Sequence, residues 1–473
     1  MQGKEEVARY QFHILSFEGP DPYASAGGIA TRVTGLASAI ADCGFDVHLW
    51  FVGDPEQPGH DTRGGLHLHR WCQWISAYHP GGVYDGEERK REDLARSLPP
   101  YLFKEILLPH LAAEETRAVV LAEEWQTADA VLHLDWLLRS AGLRQRVSML
   151  WNANNTFGFD GIDWPRLTAA AVTTTVSRYM RFEMSRLGVD PLIIPNGLPR
   201  DAFYRPRPSA VRAFHSLFDG RLVLAKVARW DPAKRWLLAV DTTAELKRRG
   251  VRPLLIARGG AEAHGSEVRR RAAGAGLKLL DRSLPGAGEE GLLRGLQDVD
   301  DADIVVLDTL LDPEAKKLLF HASAAVLAHS GHEPFGLVGL ETMAVAGVAC
   351  TGVTGEDYAV PGWNALPLQR SDPRDFVRQL QHLRQEPDEE RALRNNGLAT
   401  ALGFGWPRII TRFLFPHVGV GVPCRSPADT GLEEAPRPAS MLARGRYSRR
   451  KRQPRREPPV DRQRPDQSER IYG

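Results

Sequence analysis

Two glutamates with seven residues between them, Glu333 and Glu341, carry the chemistry most open to interpretation in this chain. Pro334 and Gly336 lie just inside the pair, and the apolar run 324–328 precedes it. That order predicts a buried strand, a glycine-bearing turn and a helix opening at about Phe335. Backbone N–H groups at a helix start lack an intrahelical acceptor and form an anion site. Proline just inside such a start is favoured there. Glu341, about two turns in, lies on the face of Leu337 and can reach a ligand seated at that N-terminus.

The spacing selects among chemistries. Eight residues of helix rise roughly 12 Å. Glycoside hydrolysis needs carboxylates about 5 to 9.5 Å apart on opposite sides of one bond, which two glutamates along one helix start do not provide. One carboxylate on a sugar, a phosphate at the helix N-terminus and one carboxylate on a ribose diol fit better. That combination describes a nucleotide-sugar site.

A second cluster stands about one hundred residues earlier, where Arg229 and Lys234 follow the apolar run 222–228. In doubly wound sheets, ligands bind outside the carboxyl ends of strands. Arg229 can fork onto a phosphate and Lys234 supplies a point charge. Two cations and a helix N-terminus together can hold a diphosphate leaving group.

The elements that must position these groups alternate. A strand over 12–17, a loop ending at Gly27-Gly28, a helix over 29–43 and a strand over 47–52 open a Rossmann-like parallel sheet. The full G-x-G-x-x-G spacing is missing, so no dinucleotide cofactor is implied. Residues 55–100 read as irregular and polar. Helices are expected over 101–113 and 126–140, and strands over 147–151 and 171–176. Residues 195–208 contain four prolines and Asn196-Gly197 and read as a linker. Beyond it, strands at 222–228, 252–257, 304–307, 324–328 and 348–351 and a helix at 236–249 predict a second parallel α/β domain. Residues 373–416 read as helical. The expected division is an N-terminal acceptor-side domain over 1–195, a nucleotide-sugar domain over 196–400, a crossover helix over 401–420 and a Pro/Arg-rich disordered tail over 421–473.

Bulk properties narrow the class. The chain has 473 residues, 42% hydrophobic and 25% charged, with a net charge of +2. Such a composition belongs to a soluble globular protein. The tail holds 13 Lys/Arg against 7 Asp/Glu, leaving a mildly acidic body. No specific nucleic-acid binding is expected. The run 449–452 offers peripheral contact with an anionic membrane. Four cysteines without a C-x-x-C pair, a polar start and no apolar run near 18 residues predict a cytoplasmic protein, peripheral at most to the inner membrane face.

Taken together, Gly27-Gly28, Pro195-Asn196-Gly197, Arg229 with Lys234, the segment from Glu333 to Glu341, and Trp406 followed by Arg412-Phe413-Leu414 resemble the retaining glycosyltransferases of family 4, which have the GT-B fold. The resemblance covers about residues 10–416. It implies two Rossmann-like domains facing across a cleft, with the last helix crossing back to the first. Arg229 and Lys234 would neutralise the donor diphosphate. Glu333 would contact the transferred sugar and Glu341 the ribose. Gly27 and Gly28 would approach the phosphates. Phe335, Gly336, Leu337, Thr354 and Gly355 complete the donor set, the last two where the family has a glycine-rich loop. The donor would be a UDP-, GDP- or ADP-sugar and the acceptor a carbohydrate, a glycoconjugate or a small metabolite. The activity would be of the hexosyltransferase class.

No carboxylate is placed as a nucleophile, so front-face attack with departing diphosphate taking the acceptor proton fits. No cofactor or metal is required, and Asp301-Ala302-Asp303 reads as a surface turn. Residues 120–128 resemble a glycogen-synthase-like segment in which a histidine precedes Asp-Trp-Gln-Thr-Ala. Glu123 stands at that histidine's position. It can bond a sugar hydroxyl, act as a base if desolvated, or serve only as a helix N-terminal acid. Asn154 and Asn155 follow a strand end and face the expected cleft, where amides can bind sugar hydroxyls. His133 reads as a packing residue. His67, His69 and Cys72 can be called metal ligands, but strand alternation explains the histidines more simply, and zinc is not expected. A GT-B phosphorylase and a non-catalytic nucleotide- or carbohydrate-binding protein of the same fold remain the alternatives.

Overall fold

The computed structural model describes residues 7, 9–352, 354–368 and 372–421. The basic tail over 422–473, with its expected disorder and the membrane contact considered for it, therefore lies outside the described residues.

Two parallel sheets organise the chain. The first contains β1 (Tyr10–Leu15), β2 (Asp46–Val52), β3 (His60–Arg63), β4 (Leu66–Trp71), β5 (Arg117–Glu123), β6 (Val147–Ala153), β7 (Val172–Thr175) and β8 (Leu192–Ile193). Its order is β3-β4-β2-β1-β5-β6-β7-β8, and only the β3–β4 hairpin is antiparallel. The second contains β9 (Leu222–Val227), β10 (Pro253–Arg258), β11 (Leu279–Arg282), β12 (Ile304–Leu307), β13 (Ala325–Leu327), β14 (Ala349–Thr351) and β15 (Leu366–Pro367). Its order is β11-β12-β10-β9-β13-β14-β15, parallel throughout. Each order reverses direction beside its first strand, the point where doubly wound sheets take ligands.

The central strands are buried almost throughout; β5, β9 and β10 are mostly Val, Leu, Ile and Ala, whereas β1 and β2 also carry Gln11, His13 and His48 inside the sheet. Helix Gly28–Asp42 buries Val33, Leu36, Ala37 and Ile40 against the first sheet. Helix Trp236–Arg248 does the same in the second with Trp236, Leu238 and Leu246.

Residues 55–100 are not irregular. They hold β3, β4 and the helix Glu87–Tyr101. β4 joins the sheet beside β2 with His67 and His69 on one face and Leu66 and Leu68 on the other. Stacked rings replace the aliphatic side chains that mark a strand in sequence.

The chain returns to the first sheet at its described end. Leu198 N–H donates to Phe404 O (2.7 Å) and Trp406 N–H to Leu198 O (3.1 Å). Trp406 then wedges between two glycines. A Cβ on Gly35 or Gly197 would lie 2.2 or 2.4 Å from its indole. Behind it Ile409, Ile410, Leu414 and Phe415 join Phe12, Val33 and Phe45 in one core. Among the described residues, no helix is long and apolar enough to cross a membrane.

Candidate functional site

The second domain's site begins at the carboxyl end of β9. There Asp231 caps a single turn over Pro232–Lys234, its carboxylate accepting from Ala233 N–H at 2.8 Å. Trp236 Nε1–H donates to Arg229 O (2.7 Å) and fixes the loop's entry. Gly331 N–H donates to Ala233 O (2.7 Å), which ties this loop to the one leaving β13. Lys234 Nζ consequently reaches Glu333 Oε2 at 2.6 Å. Arg229 is exposed, and its guanidinium has no hydrogen bond or ion pair among the described residues.

The helix after β13 opens at Leu337, two residues later than the sequence suggested, and runs to Ala344. Gly336 precedes it at φ +82°, a left-handed conformation that a side chain would strain, so the turn rather than Pro334 sets the start. Phe335 faces inward against Tyr358 and Phe404. The Glu333 backbone bonds Thr354 in both directions: its N–H donates to Oγ1 (2.7 Å), and that hydroxyl donates to Glu333 O (3.2 Å). A Cβ on Gly355 would sit 2.2 Å from the carbonyl oxygens of both Glu333 and Pro334, so only glycine fits there. Glu341 pairs with Lys316 at 2.9 Å.

Three buried polar groups that no local motif marks underlie this surface. Lys226, inside β9, donates to Leu327 O at 2.8 Å, and burial pushes its ammonium down to about 7. The His329 ring is buried, and burial holds it well below the usual imidazole value. Glu356 accepts from Gly352 N–H (3.0 Å) and Thr354 N–H (3.2 Å). Burial, reinforced by the Glu333 carboxylate, lifts its acid to about 7.

The first domain meets this site directly. A Cβ on Gly28 would lie 3.8 Å from Leu337 Cδ1, so the Gly27-Gly28 loop abuts the helix start. Arg178 donates to Asp357 from its backbone N–H (2.7 Å) and from Nε (3.0 Å). The glycine loop is not open on all sides. Glu18 Oε2 accepts from Gly27 N–H (3.0 Å) and Ala30 N–H (3.1 Å), and Tyr84 donates to Oε1.

Glu123 sits elsewhere than a sugar-facing acid would. Its side chain is 1% exposed, it pairs with Arg32 at 2.9 Å, and it accepts from Asn152 Nδ2 (2.7 Å) and Asn154 Nδ2 (2.8 Å). Arg32 in turn donates to Asn196 Oδ1 (2.8 Å). Asn154 is therefore committed to Glu123, while Asn155 accepts from Phe157 N–H (2.7 Å) within its own loop. The unusual acid is the next residue. Glu124 has φ +69° and ψ 166°, a region essentially reserved for glycine. Its Oε1 accepts from Asn154 N–H (2.6 Å), and burial pushes its carboxyl up to about 8.

His133 bonds the Ala95 carbonyl at 3.0 Å and packs. Asp303 is held by Lys247 Nζ and Lys278 N–H, both at 2.7 Å, and is structural. A cavity of about 740 Å³ runs along the Thr31, Thr34 and Ser38 face of helix Gly28–Asp42 to Arg200 and Trp406. Neither Lys234 nor Glu333 lines it, so it is separate from the cluster around the two loops.

No family model and no curated protein matches the sequence. Solved structures do. Sucrose-phosphate synthase from Thermosynechococcus elongatus aligns over 85% of this chain and 96% of its own, at 20% identity and a TM-score of 0.57. The catalytic domain of starch synthase IV from Arabidopsis thaliana, bound to ADP and acarbose, aligns over 87% and 99% at 14% identity and 0.62. Anabaena HepE in complex with UDP-glucose aligns over 86% and 99% at 13% identity and 0.55. The fold is GT-B. In GT-B terms, the Arg229–Lys234 and Glu333–Leu337 loops stand on the second domain, and the Gly27-Gly28 loop faces them from the first.

Proposed function

We propose that this chain is a retaining glycosyltransferase of the family-4 kind, moving a sugar from a nucleoside-diphosphate sugar to a hydroxyl acceptor without an essential metal. One observation carries the reading. Lys234 pairs with Glu333 four residues before helix Leu337–Ala344, on the same loop as an exposed Arg229 whose guanidinium has no partner among the described residues, and Gly28 lies against Leu337. A diphosphate seated there meets two cations and a helix N-terminus. Such fixed charge stabilises a leaving group without reorganisation. The ADP and UDP-glucose held by the GT-B proteins named above support a donor of this class.

In the reaction, an acceptor oxygen attacks the anomeric carbon as the bond to the diphosphate oxygen breaks. The acceptor proton passes to the departing phosphate on the same face, and configuration is retained. Arg229 and Lys234 take the developing charge. Glu333, released from Lys234 as the phosphate arrives, bonds a sugar hydroxyl. Glu341 meets the ribose diol beside Lys316. Thr354 and Gly355 hold the Glu333 backbone in place rather than needing to touch the donor.

A non-catalytic sugar- or nucleotide-binding protein is the second reading, and Glu123 favours it. The position where related enzymes carry a histidine holds a buried, fully paired acid. Calorimetry with UDP, GDP, ADP and their glucose, galactose and mannose derivatives, followed by donor-turnover assays, separates the two. Binding of one nucleotide family with slow donor hydrolysis is expected. Binding without turnover under any acceptor selects the second reading, and no binding by a folded sample removes both.

A further inference from the structure

Five of the chain's 15 histidines share one face of the first sheet, near the amino ends of its strands and away from the proposed donor cleft. Strand register places His13 beside His48, His48 beside His67, and His60 beside His69. Gln11 and Asp46 form the next row out.

Hydrogen bonds fix the ring states in sequence. An indole N–H can only donate, so His13 Nδ1 accepts from Trp50 Nε1 (3.4 Å). His13 Nε2 then carries the proton and donates to Gln11 Oε1 (3.0 Å). The Gln11 amide therefore turns its NH₂ to Asp46 Oδ2 (2.7 Å) and His48 Nε2 (3.1 Å). His48 Nε2 is thus an unprotonated nitrogen, and its Nδ1–H donates to His69 Nε2 (2.9 Å). His67 Nε2 lies 3.0 Å from Asp46 Oδ1, and its Nδ1 lies 3.2 Å from Thr62 Oγ1.

We propose that Asp46, His48 and His67 form a binding site for a divalent late first-row transition ion, zinc above all, that ties β2 to β4. The three ligand atoms already lie within 4.8 Å of one another. Tetrahedral zinc with bonds of about 2.0–2.1 Å needs them about 3.3 Å apart. Asp46 already spans the pair, 3.0 Å from His67 Nε2 and 3.5 Å from His48 Nε2. A tilt of the partly exposed His67 ring, stacked with its centroid 4.6 Å from that of His48, therefore closes the remaining gap. Each imidazole has an outer partner for its second nitrogen, His69 for His48 and Thr62 for His67, as ligating histidines require. The Thr62 hydroxyl can accept a hydrogen bond from His67 Nδ1–H as well as donate one to Nδ1, so His67 can switch tautomer and free Nε2. The Gln11 amide yields His48 Nε2 to the ion and keeps Asp46. Exposed Asp46 leaves an entry path and a position for water. No zinc is expected from the sequence at His67, His69 and Cys72, and Cys72 indeed points away to the Lys90 carbonyl. The departure from that expectation rests on Asp46 and His48, which only strand pairing brings beside His67.

The test needs no sugar chemistry and stands apart from the proposed function. The full chain is stripped with chelator and titrated with Co²⁺, then Zn²⁺. One equivalent of Co²⁺ with the visible absorption of a four- or five-coordinate ion is expected, displaced by Zn²⁺ with a rise in Tm. Asp46→Asn and His67→Gln should each lose more than tenfold in affinity, with circular dichroism confirming the fold. Thr62→Val, which removes only an outer partner, should lose about tenfold. His60→Gln, on the same face but outside the triad, should bind like the parent. Absence of saturable binding, or an equal loss in His60→Gln, overturns the proposal.

Discussion

The two walls of the GT-B cleft handle charge in opposite ways. The first-domain wall is acidic, and its carboxylates are spent on the chain's own donors: Glu18 on Gly27, Ala30 and Tyr84, Glu123 on Arg32 and two asparagines, Glu124 on Asn154. The second-domain wall is basic and incompletely matched. The Arg229 guanidinium has no partner among the described residues, and the Lys234–Glu333 pair keeps side-chain exposures of 24% and 16%. Charge neutralised from within builds the wall; charge left open is available to a ligand.

The sharpest break of this contrast is Glu123→Ala. It strands Arg32 in the interior and should cost about 3–5 kcal/mol in denaturant unfolding, the usual penalty for an orphaned buried charge. Glu333→Ala should cost only about 1 kcal/mol, because a partly exposed pair contributes little, while abolishing donor turnover. Equal costs would erase the distinction between the walls. Arg229→Ala and Lys234→Ala should each lower kcat by about 10²–10³, or roughly 2.7–4 kcal/mol of transition-state stabilisation. Parent-like turnover in both would remove the diphosphate from this wall.

Glu124 supplies a pH test of the first wall. Its folded carboxyl stands at about 8, against about 4.3 in an unfolded chain. Between those values the unfolded chain has lost a proton that the folded chain retains. Stability should therefore fall as pH rises, by at most about 1.4 kcal/mol per unit, and level off above 8. Glu124→Gln should flatten that slope in urea titrations; an unchanged slope means the acid is not the source. Next in size, Glu341→Ala should weaken nucleotide binding about tenfold, or about 1.4 kcal/mol by calorimetry. The smallest effect belongs to Arg178→Ala. It removes one exposed arm of the clasp on Asp357, so stability should change by less than about 1 kcal/mol.

Both sheets were legible because their central strands are short segments rich in large apolar residues, bounded by glycine and followed by helical periodicity. Gly27-Gly28 and Arg229 to Lys234 were legible as loops at strand ends. The alternation of Leu66, His67, Leu68 and His69 marked β4, but β3 and its pairing escaped because their strand character resides in imidazole stacking, as between the His60 and His69 rings 4.7 Å apart, rather than in Val or Ile. Glu18 escaped because a carboxylate nine residues ahead of a helix leaves no local spacing signal. At residues 123 and 124, sequence alone could not separate the paired acid from the strained one, since backbone dihedrals decide it. Lys226 hid inside an apolar strand, where its partners are carbonyls of another strand about one hundred residues away.

Trp406 sets an order of events during synthesis. The core face formed by Phe12, Val33 and Phe45 is completed only by Trp406, Ile410 and Phe415. At translation rates of about 5–20 residues per second, the ribosome spends on the order of 20–80 s between those two groups. The first domain therefore waits, with an apolar face uncovered, while the second is made and folded. A chain cut before Trp406 would keep every residue of the proposed donor site and still lack the wedge between Gly35 and Gly197. The nascent N-terminal half is thus the stage at which this protein is most exposed to aggregation, and its last helices act as the closing stitch.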